Sequence, residues 1–495
     1  MEKRKSILLI TADCLRADHV GFMGYPRPTT PFLDSMARES FVFPSAIVAG
    51  VPTFYSFPAI LASRYPLALG RDVVGLSPDE PTLASVAQQA GYATAAFGAG
   101  NPYISSRFGY QRAFDAFQDF LREDDFVLEE SRAAERSWPS RLNRLLQKAG
   151  NGPLGSLYEE IYFRYCQRVT PLPGSVDALR RYPSADAVVD QACCWLASMS
   201  EKPFFLWLHL MDAHGPYYPK EEALGLMGDN PVTPYRARYL NSYWNRGNLA
   251  VRRFSQHRDE VLRLYDAGIR WVDKQIERLV GTLRRMGLWE DCIFAFTADH
   301  GEEFLDHGGR FHPPSQLMEE LIHVPLLMRV PGVLRREMNN GPFSLLHLAP
   351  TILDCAQLQI PAEFQGRSHK RELQNEGRDD GVAVSESVGV CSNPMRRENR
   401  LGARVLSIRE SRFKLLLHFE TKAEYLYDLG DDPGEKHPIG SNEQKAVRRR
   451  LLEIARAHLQ RSQRDRELKS RLQVRLRDLQ IEWQIPAEKA SATAS

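Results

Sequence analysis

The sequence predicts an α/β protein in which helices flank a mostly parallel sheet, and three observations carry that expectation. First, the short apolar runs Ile7–Ile10, Phe204–Leu210 and Cys292–Phe296 read as strands buried on both faces. Second, each run ends in titratable groups. Asp13, Cys14, Asp18 and His19 follow the first, Asp212 and His214 the second, and Asp299, His300, Glu302, Glu303, Asp306 and His307 the third. Third, segments of helical period separate the runs, and open α/β sheets bind ligands at the carboxyl ends of their strands. Clusters so far apart in the chain meet only across a folded sheet.

After the first strand, RPTTPFLDSMARES offers Thr29 or Thr30 as an N-cap, with Pro31 in the first turn and Phe32, Leu33 and Met36 at helical spacing. In residues 45–67, Pro52 and Pro58 frame Thr53, Tyr55 and Ser56. The spacing predicts a helix starting near Pro58, which puts Thr53 just ahead of a helix N-terminus, where backbone N–H groups hold an anion. A helix over 82–90 and a strand in YATAAFGAGNPYI form another βα unit, with Asn101 at its rim. Residues of about 115–200 read as a charged helical excursion that shapes a pocket or an interface. The clearest helix spans 257–287 and is ended by Gly287; Asp266 and Asp273 on it read as solvated or capping groups. GGRFHPP places Arg310 and His312 in a loop. A strand over Val324–Val330 and a helix from HLAPTILD follow.

The main domain is expected to cover 1–375 and a small strand-rich subdomain 376–440. In the latter, strands fall at Ala383–Glu386, Arg404–Ile408 and Phe413–His418, the last two as a hairpin, before a turn at Asp431–Gly434. Residues 441–495 form a basic helical tail with a disordered end. Over 443–478, twelve Lys/Arg stand against five Asp/Glu, a balance of +7. Leu468, Leu472, Leu476 and Leu479 make a stripe that suits packing on the body or on a second subunit. A homo-oligomer through this helix is therefore expected, with contact to nucleic acid or an anionic membrane as the alternative.

The chain has 495 residues, 43% of them hydrophobic and 25% charged, as in ordinary globular proteins. A net charge of +2 makes no general case for nucleic acid, and seven cysteines do not suggest a disulfide framework. The apolar run after the basic start is too short for a signal peptide or a membrane span, so a cytoplasmic location is expected.

Asp13, Asp299 and His300 make a first shell for one divalent cation. A mixed oxygen and nitrogen set suits manganese, zinc or iron rather than the all-oxygen set of calcium or magnesium. Manganese is the expected ion, with zinc, iron or calcium as alternatives. A metal on the Thr53 hydroxyl lowers its pKa and aims it at a tetrahedral anionic ester. His214, His312 and Arg310 are placed to bind nonbridging oxygens, or a histidine to protonate the leaving oxygen, with Asn101 as a further substrate contact.

The ordered series LLITADCLRADHVGFMGY, TTPFLDSMA, AILASRYP, LHLMDAHGPYYP, YDAGIRWVDKQI, FTADHGEEFLDHG, EELIHVPLLMRVPG and YLYDLGDDPGE resembles the sulfatase-like branch of the alkaline phosphatase superfamily, over most of residues 6–440. The resemblance implies that Asp13, Asp299 and His300 are metal ligands, and that His214 and His312 bind the transferred group or assist the leaving group. Cys14 stands where many members have a second aspartate, which points to a single metal, with His307 leaving a two-metal variant open. Thr53 falls at the nucleophile position. Formylglycine-forming members carry C/S-x-P-x-R there, whereas this chain has Thr53-Phe54-Tyr55-Ser56-Phe57. The resemblance thus leads to the expectation of a metal-dependent hydrolase of small anionic esters, namely phosphodiesters or phosphonate monoesters, with Thr53 as nucleophile. The alternatives are a sulfuric ester hydrolase without formylglycine, a phosphoryl-type transferase and a noncatalytic binding protein.

Overall fold

The computed structural model describes residues 4–70, 73–121, 153–199, 202–247, 249–333, 341–374 and 381–478. Its main sheet has seven strands in the order Phe41–Val42, Leu326–Arg329, Cys292–Ala298, Ser6–Ala12, Phe204–Leu210, Ala93–Gly98 and Ala116–Gln118. The last five run parallel, and Leu326–Arg329 is antiparallel to both its neighbours. The three central strands are buried along their whole length, so both faces must be apolar and the sequence shows continuous runs rather than alternation. Pro325 interrupts the strand expected over Val324–Val330. It leaves His323–Val324 in a separate small sheet and Leu326–Arg329 in the main one.

The sheet is flanked by helices. One of them, the 28-residue Arg258–Arg285, buries Val261, Leu264, Ile269, Val272, Ile276, Leu279, Val280 and Leu283 along one stripe. Each such side chain stabilises the fold by about 1.5–3 kcal/mol. Asp266 and Asp273 on this helix are not solvated. Asp273 caps a second helix, Pro31–Met36, by accepting from the Phe32 N–H at 3.0 Å and the Leu33 N–H at 2.8 Å. Asp266 is fully buried and takes His19 Nδ1 and the Tyr25 hydroxyl, each at 2.7 Å, together with Arg27. The helix near Pro58 differs from expectation. It spans Thr53–Ala62 with Pro58 inside it, so Thr53 is its first residue rather than a residue ahead of it.

The region of about 115–200 is not a single excursion. Ala116–Gln118 extends the main sheet, and the helix Ala185–Ser198 packs on the sheet and on the long helix. Between them the described part includes the helix Pro153–Val169.

Toward the C-terminus, Val382–Val388, Arg404–Glu410, Phe413–His418 and Ala423–Asp428 form a four-stranded antiparallel sheet. Its fourth strand arises where the sequence signals only a turn. The helix Lys445–Asp478 lays Leu451 and Ala455 on this sheet against Leu406, Ile408, Leu415 and Leu426. The stripe Leu468, Leu472, Leu476 and Leu479 lies outside the described residues and side chains, and no oligomeric state is carried forward from it. Among the described residues no helix is long and apolar enough to cross a membrane; a cytoplasmic location does not follow from that.

Gly268 shows how tightly the long helix is seated. A Cβ there would stand 2.3 Å from the Asp212 carbonyl oxygen, in the turn after the central strand. Alanine normally improves a helix interior by about 1 kcal/mol over glycine. Here Gly268→Ala is expected to destabilise by about 1–3 kcal/mol instead, because backbone must move. Urea unfolding checks this, and a stabilised variant would show that the contact yields freely.

Candidate metal centre and active site

Strand register builds the site. Ala12 pairs with Ala298 and with Leu210, so the residues that follow, Asp13, Asp299 and the turn to Asp212, emerge side by side. Asp13, Asp299 and His300 have no exposed surface, and Cys14 is equally buried. Cys14 adopts φ +58°, a left-handed conformation that is uncommon for a side-chain-bearing residue and costs about 1–3 kcal/mol. The turn is held from outside. Tyr265 on the long helix donates its hydroxyl to the Cys14 carbonyl at 2.8 Å and accepts from the Arg16 N–H at 3.0 Å. Asp299 Oδ1 accepts from the backbone of Cys14 at 3.3 Å and of His300 at 3.0 Å.

The remaining carboxylate oxygens are the telling feature. Asp13 Oδ1 and Asp299 Oδ2 are buried with no hydrogen-bond partner. Such groups cost about 1–3 kcal/mol or more unless something binds them. His300 Nε2 lies 3.5 Å from Asp299 Oδ2 and 3.9 Å from Asp13 Oδ1. Its Nδ1–H donates to the Gly301 carbonyl at 2.9 Å, which turns Nε2 toward the acids. Donor atoms of Asp13, Cys14 and His300 lie within 4.8 Å of one another, as do those of Asp13, His209 and Asp299, and those of Cys14, His214 and His312. These Asp, Cys and His clusters fit one divalent cation.

Electrostatics agree with that fit. Burial is the largest influence on Asp13 and pushes its pKa up, but His214, His209 and His300 outweigh it and hold the carboxyl well below its ordinary range. Burial and then the neighbouring Asp13 push Asp299 up. Burial, Glu302, Asp13 and Asp299 push the Cys14 thiol well up, so it keeps its proton until a cation reverses the local field.

Around this floor stands a more open rim. His214 and His312 are half-buried, with ring centroids 5.3 Å apart, and His312 lies 4.6 Å from His300. His312 Nδ1 stands 3.4 Å from both Cys14 Sγ and Glu302 Oε1. His214 donates Nδ1–H to the Gly215 carbonyl. Asn101 sits at the floor, not the rim; it is buried and donates to Asp13 Oδ2 at 2.8 Å. Thr53 is buried, with its hydroxyl 3.1 Å from His300 Nε2.

Two expected residues are elsewhere. Arg310 lies over the Phe254 ring at 3.6 Å and donates to the Arg246 carbonyl at 2.8 Å. His307 joins a separate group with Glu303 and Glu320, bonding Glu320 Oε1 at 2.6 Å and the Glu435 carbonyl at 3.3 Å.

Two residues escape the sequence reading. Glu302, fully buried with neither carboxylate oxygen hydrogen-bonded, is visible there only as one acid in a run. His209 is hidden within the apolar run Phe204–Leu210. It faces Thr11 across the strand pair, with Nδ1 2.9 Å from the Thr11 hydroxyl and Nε2 3.1 Å from Asp13 Oδ2. A carboxylate only accepts, so Nε2 carries the proton, while Thr11, which receives the Trp207 indole N–H at 3.1 Å, supplies Nδ1. This chain fixes the Asp13 carboxylate.

An open, mostly parallel α/β sheet whose strand ends gather buried carboxylates, a thiol and imidazoles defines the class of the alkaline phosphatase superfamily. Two family models match. One, described as Sulfatase, covers residues 5–358, and the other, N-sulphoglucosamine sulphohydrolase, C-terminal, covers 310–461. The chain belongs to the sulfatase family, within this superfamily of metal-dependent hydrolases.

An arylsulfatase of Clostridium perfringens is 25% identical over 89% of this chain and 92% of its own length. An N-acetylglucosamine-6-O-sulfatase of Bacteroides thetaiotaomicron is 28% identical over 39% of this chain. That match spans only 35% of the relative's length. Among solved structures, a phosphonate monoester hydrolase of Agrobacterium radiobacter superposes with a TM-score of 0.65 at 20% identity. The superposition covers 93% of this chain and 96% of that one, and at this identity the likeness is one of fold.

These findings correct the expectation of a threonine-nucleophile phosphoesterase. Both family models are sulfatase models, and the donor clusters centre on Asp13, Cys14 and the histidines, with Thr53 bound to His300 instead of heading a nucleophile site. Manganese loses its preference as well, because sulfur among the donors favours softer ions.

Two measurements follow. His209→Ala should weaken divalent-metal binding about 10- to 100-fold, read by competition with a chromophoric chelator, and Thr11→Val should weaken it in the same direction. Unchanged affinity in both would remove the supporting role of His209. The Glu320 hydrogen bond, the largest influence on His307, raises its pKa above the ordinary 6.5. The stability this contact contributes is complete below about pH 6.5 and fades as pH rises through the raised value. His307→Gln should therefore flatten the fall in Tm above neutral pH, and an identical pH profile would contradict it.

Proposed function

We propose that the protein hydrolyses sulfate monoesters without a formylglycine at residue 53. The observation that carries this reading is the pair of unpartnered buried oxygens, Asp13 Oδ1 and Asp299 Oδ2, beneath two half-buried histidines, in a chain of the sulfatase family. Negative charge without a partner calls for a cation, and two imidazoles above it suit a tetrahedral oxyanion.

Asp13, Asp299 and His300 would hold the metal, with Cys14 beside them, and the sulfur would favour zinc or iron over harder ions. When bound, the metal supplies Lewis-acid stabilisation of the charge on the sulfuryl oxygens. His214 and His312 bind the outward oxygens, and one of them hands a proton to the departing alkoxide or phenoxide. The Gly301 carbonyl keeps His300 oriented by accepting its Nδ1–H, and the Thr53 hydroxyl lies beside Nε2 at the edge of the metal cradle. Overall, water adds across the ester and releases an alcohol and sulfate.

A panel of aryl sulfates, phosphodiesters, phosphonate monoesters and phosphomonoesters, assayed on metal-reconstituted protein, tests this. Aryl sulfate turnover should dominate. His214→Ala should lower it about 10²- to 10⁴-fold, the range of a lost general acid, and Asp299→Ala should abolish it together with stoichiometric metal. Dominant phosphodiester turnover would overturn the substrate class.

A further inference from the structure

We infer that Arg181 forms a second anion subsite beside His214, so that the preferred substrate is a sulfate ester whose leaving group carries another negative charge. The inference rests on the sulfate-ester reading above. A shallow recess, open to solvent, adjoins His214 and is lined by Arg180, Arg181, Tyr182, Asp212 and Tyr218 among others. It shares a wall with the site, because Tyr182 packs edge-on against the His214 ring at 5.5 Å.

The two arginines have different fates. Arg180 is spent internally: one nitrogen binds Asp212 Oδ1 at 2.6 Å and another the Tyr218 carbonyl at 2.6 Å. The second oxygen of Asp212 accepts from the Ala185 N–H at 2.8 Å, and the charge of this acid is already matched by Arg180. Arg181 is exposed and, among the described residues, has no hydrogen bond or ion pair. Its charge reaches into the recess: burial raises the Tyr218 phenol, and Arg181 is the first group to oppose that rise.

A guanidinium without a partner among the described residues, at the edge of a recess that ends at His214, matches a carboxylate or sulfate in bidentate geometry. The reacting sulfate occupies the His214–His312 rim, so the group that meets Arg181 belongs to the leaving side. An acidic sugar or a second sulfate ester on the same residue has this chemistry. A neutral aryl group does not.

Binding of sulfonates, whose C–S bond is not hydrolysed, tests the subsite apart from turnover. Titration calorimetry of 4-carboxybenzylsulfonate and its methyl ester against the metal-reconstituted protein should give about five- to tenfold tighter binding of the acid, the effect of one charge-assisted contact. Arg181→Ala should erase that ratio and Arg181→Lys should retain part of it. Equal affinities in the wild type, or a ratio that survives Arg181→Ala, would overturn the inference. Failure to hydrolyse either 4-carboxyphenyl sulfate or its methyl ester would instead overturn the sulfate-ester reading, while the sulfonate ratio still decides the subsite.

Discussion

Two carboxylates buried side by side, with an unpartnered oxygen on each, are the constraint around which this molecule is arranged. The register of two parallel strands imposes it: once Ala12 pairs with Ala298, Asp13 and Asp299 leave the sheet together. Two adjacent anions in a low-dielectric interior repel strongly, and burial alone would neutralise them. The protein keeps Asp13 ionised by surrounding it with His214, His209 and His300, and lets Asp299 rise. A cation held between them would offset the repulsion that burial imposes on the pair.

Much of the nearby structure keeps that arrangement from relaxing. Tyr265 ties the Cys14 turn to the long helix, and Gly268, one turn further along that helix, lets it approach the backbone after the central strand. Gly301 is pressed in the same way: an added Cβ would meet the Glu320 carbonyl oxygen at 1.9 Å. The Trp207–Thr11–His209–Asp13 chain runs sideways across the strands and leaves one oxygen of Asp13 for the metal. The supporting side chains Tyr265, Thr11, Trp207 and His209 are themselves buried, which is how a strained turn such as Cys14 persists.

The parallel core was legible in the sequence because burial on both faces writes strands as plain apolar runs. The convergence of Asp13, Asp299, His300 and His214 followed from strand ends sharing one edge, whereas His312 reaches the site from a loop. What escaped was set by tertiary geometry. His209 is polar in an apolar run, and its partner Thr11 lies on another strand, so only the register brings the two together. Arg310 and His307 sit in a loop whose direction no periodicity encodes; one turned to an aromatic face and the other to Glu320. Pro58 read as a helix start, yet the helix opens at Thr53 and accommodates the proline in its second turn. The chemistry of residue 53 was misjudged for a different reason. A motif position identifies a place, whereas the partners found there, here His300, determine what the side chain does.

The floor and the rim of the site come from different parts of the chain, and this separates reaction from selection. The floor consists of strand ends whose positions are fixed by the sheet, so the strand register sets where Asp13 and Asp299 stand. The rim draws on segments between strands, where Arg181 and Tyr182 precede the Ala185–Ser198 helix and Tyr218 follows the central strand. His214 belongs to both, since it lies in the turn after that strand and touches Tyr182. Substitutions among the rim residues therefore change which leaving group is seated without moving a carboxylate, whereas a change in register moves every donor at once.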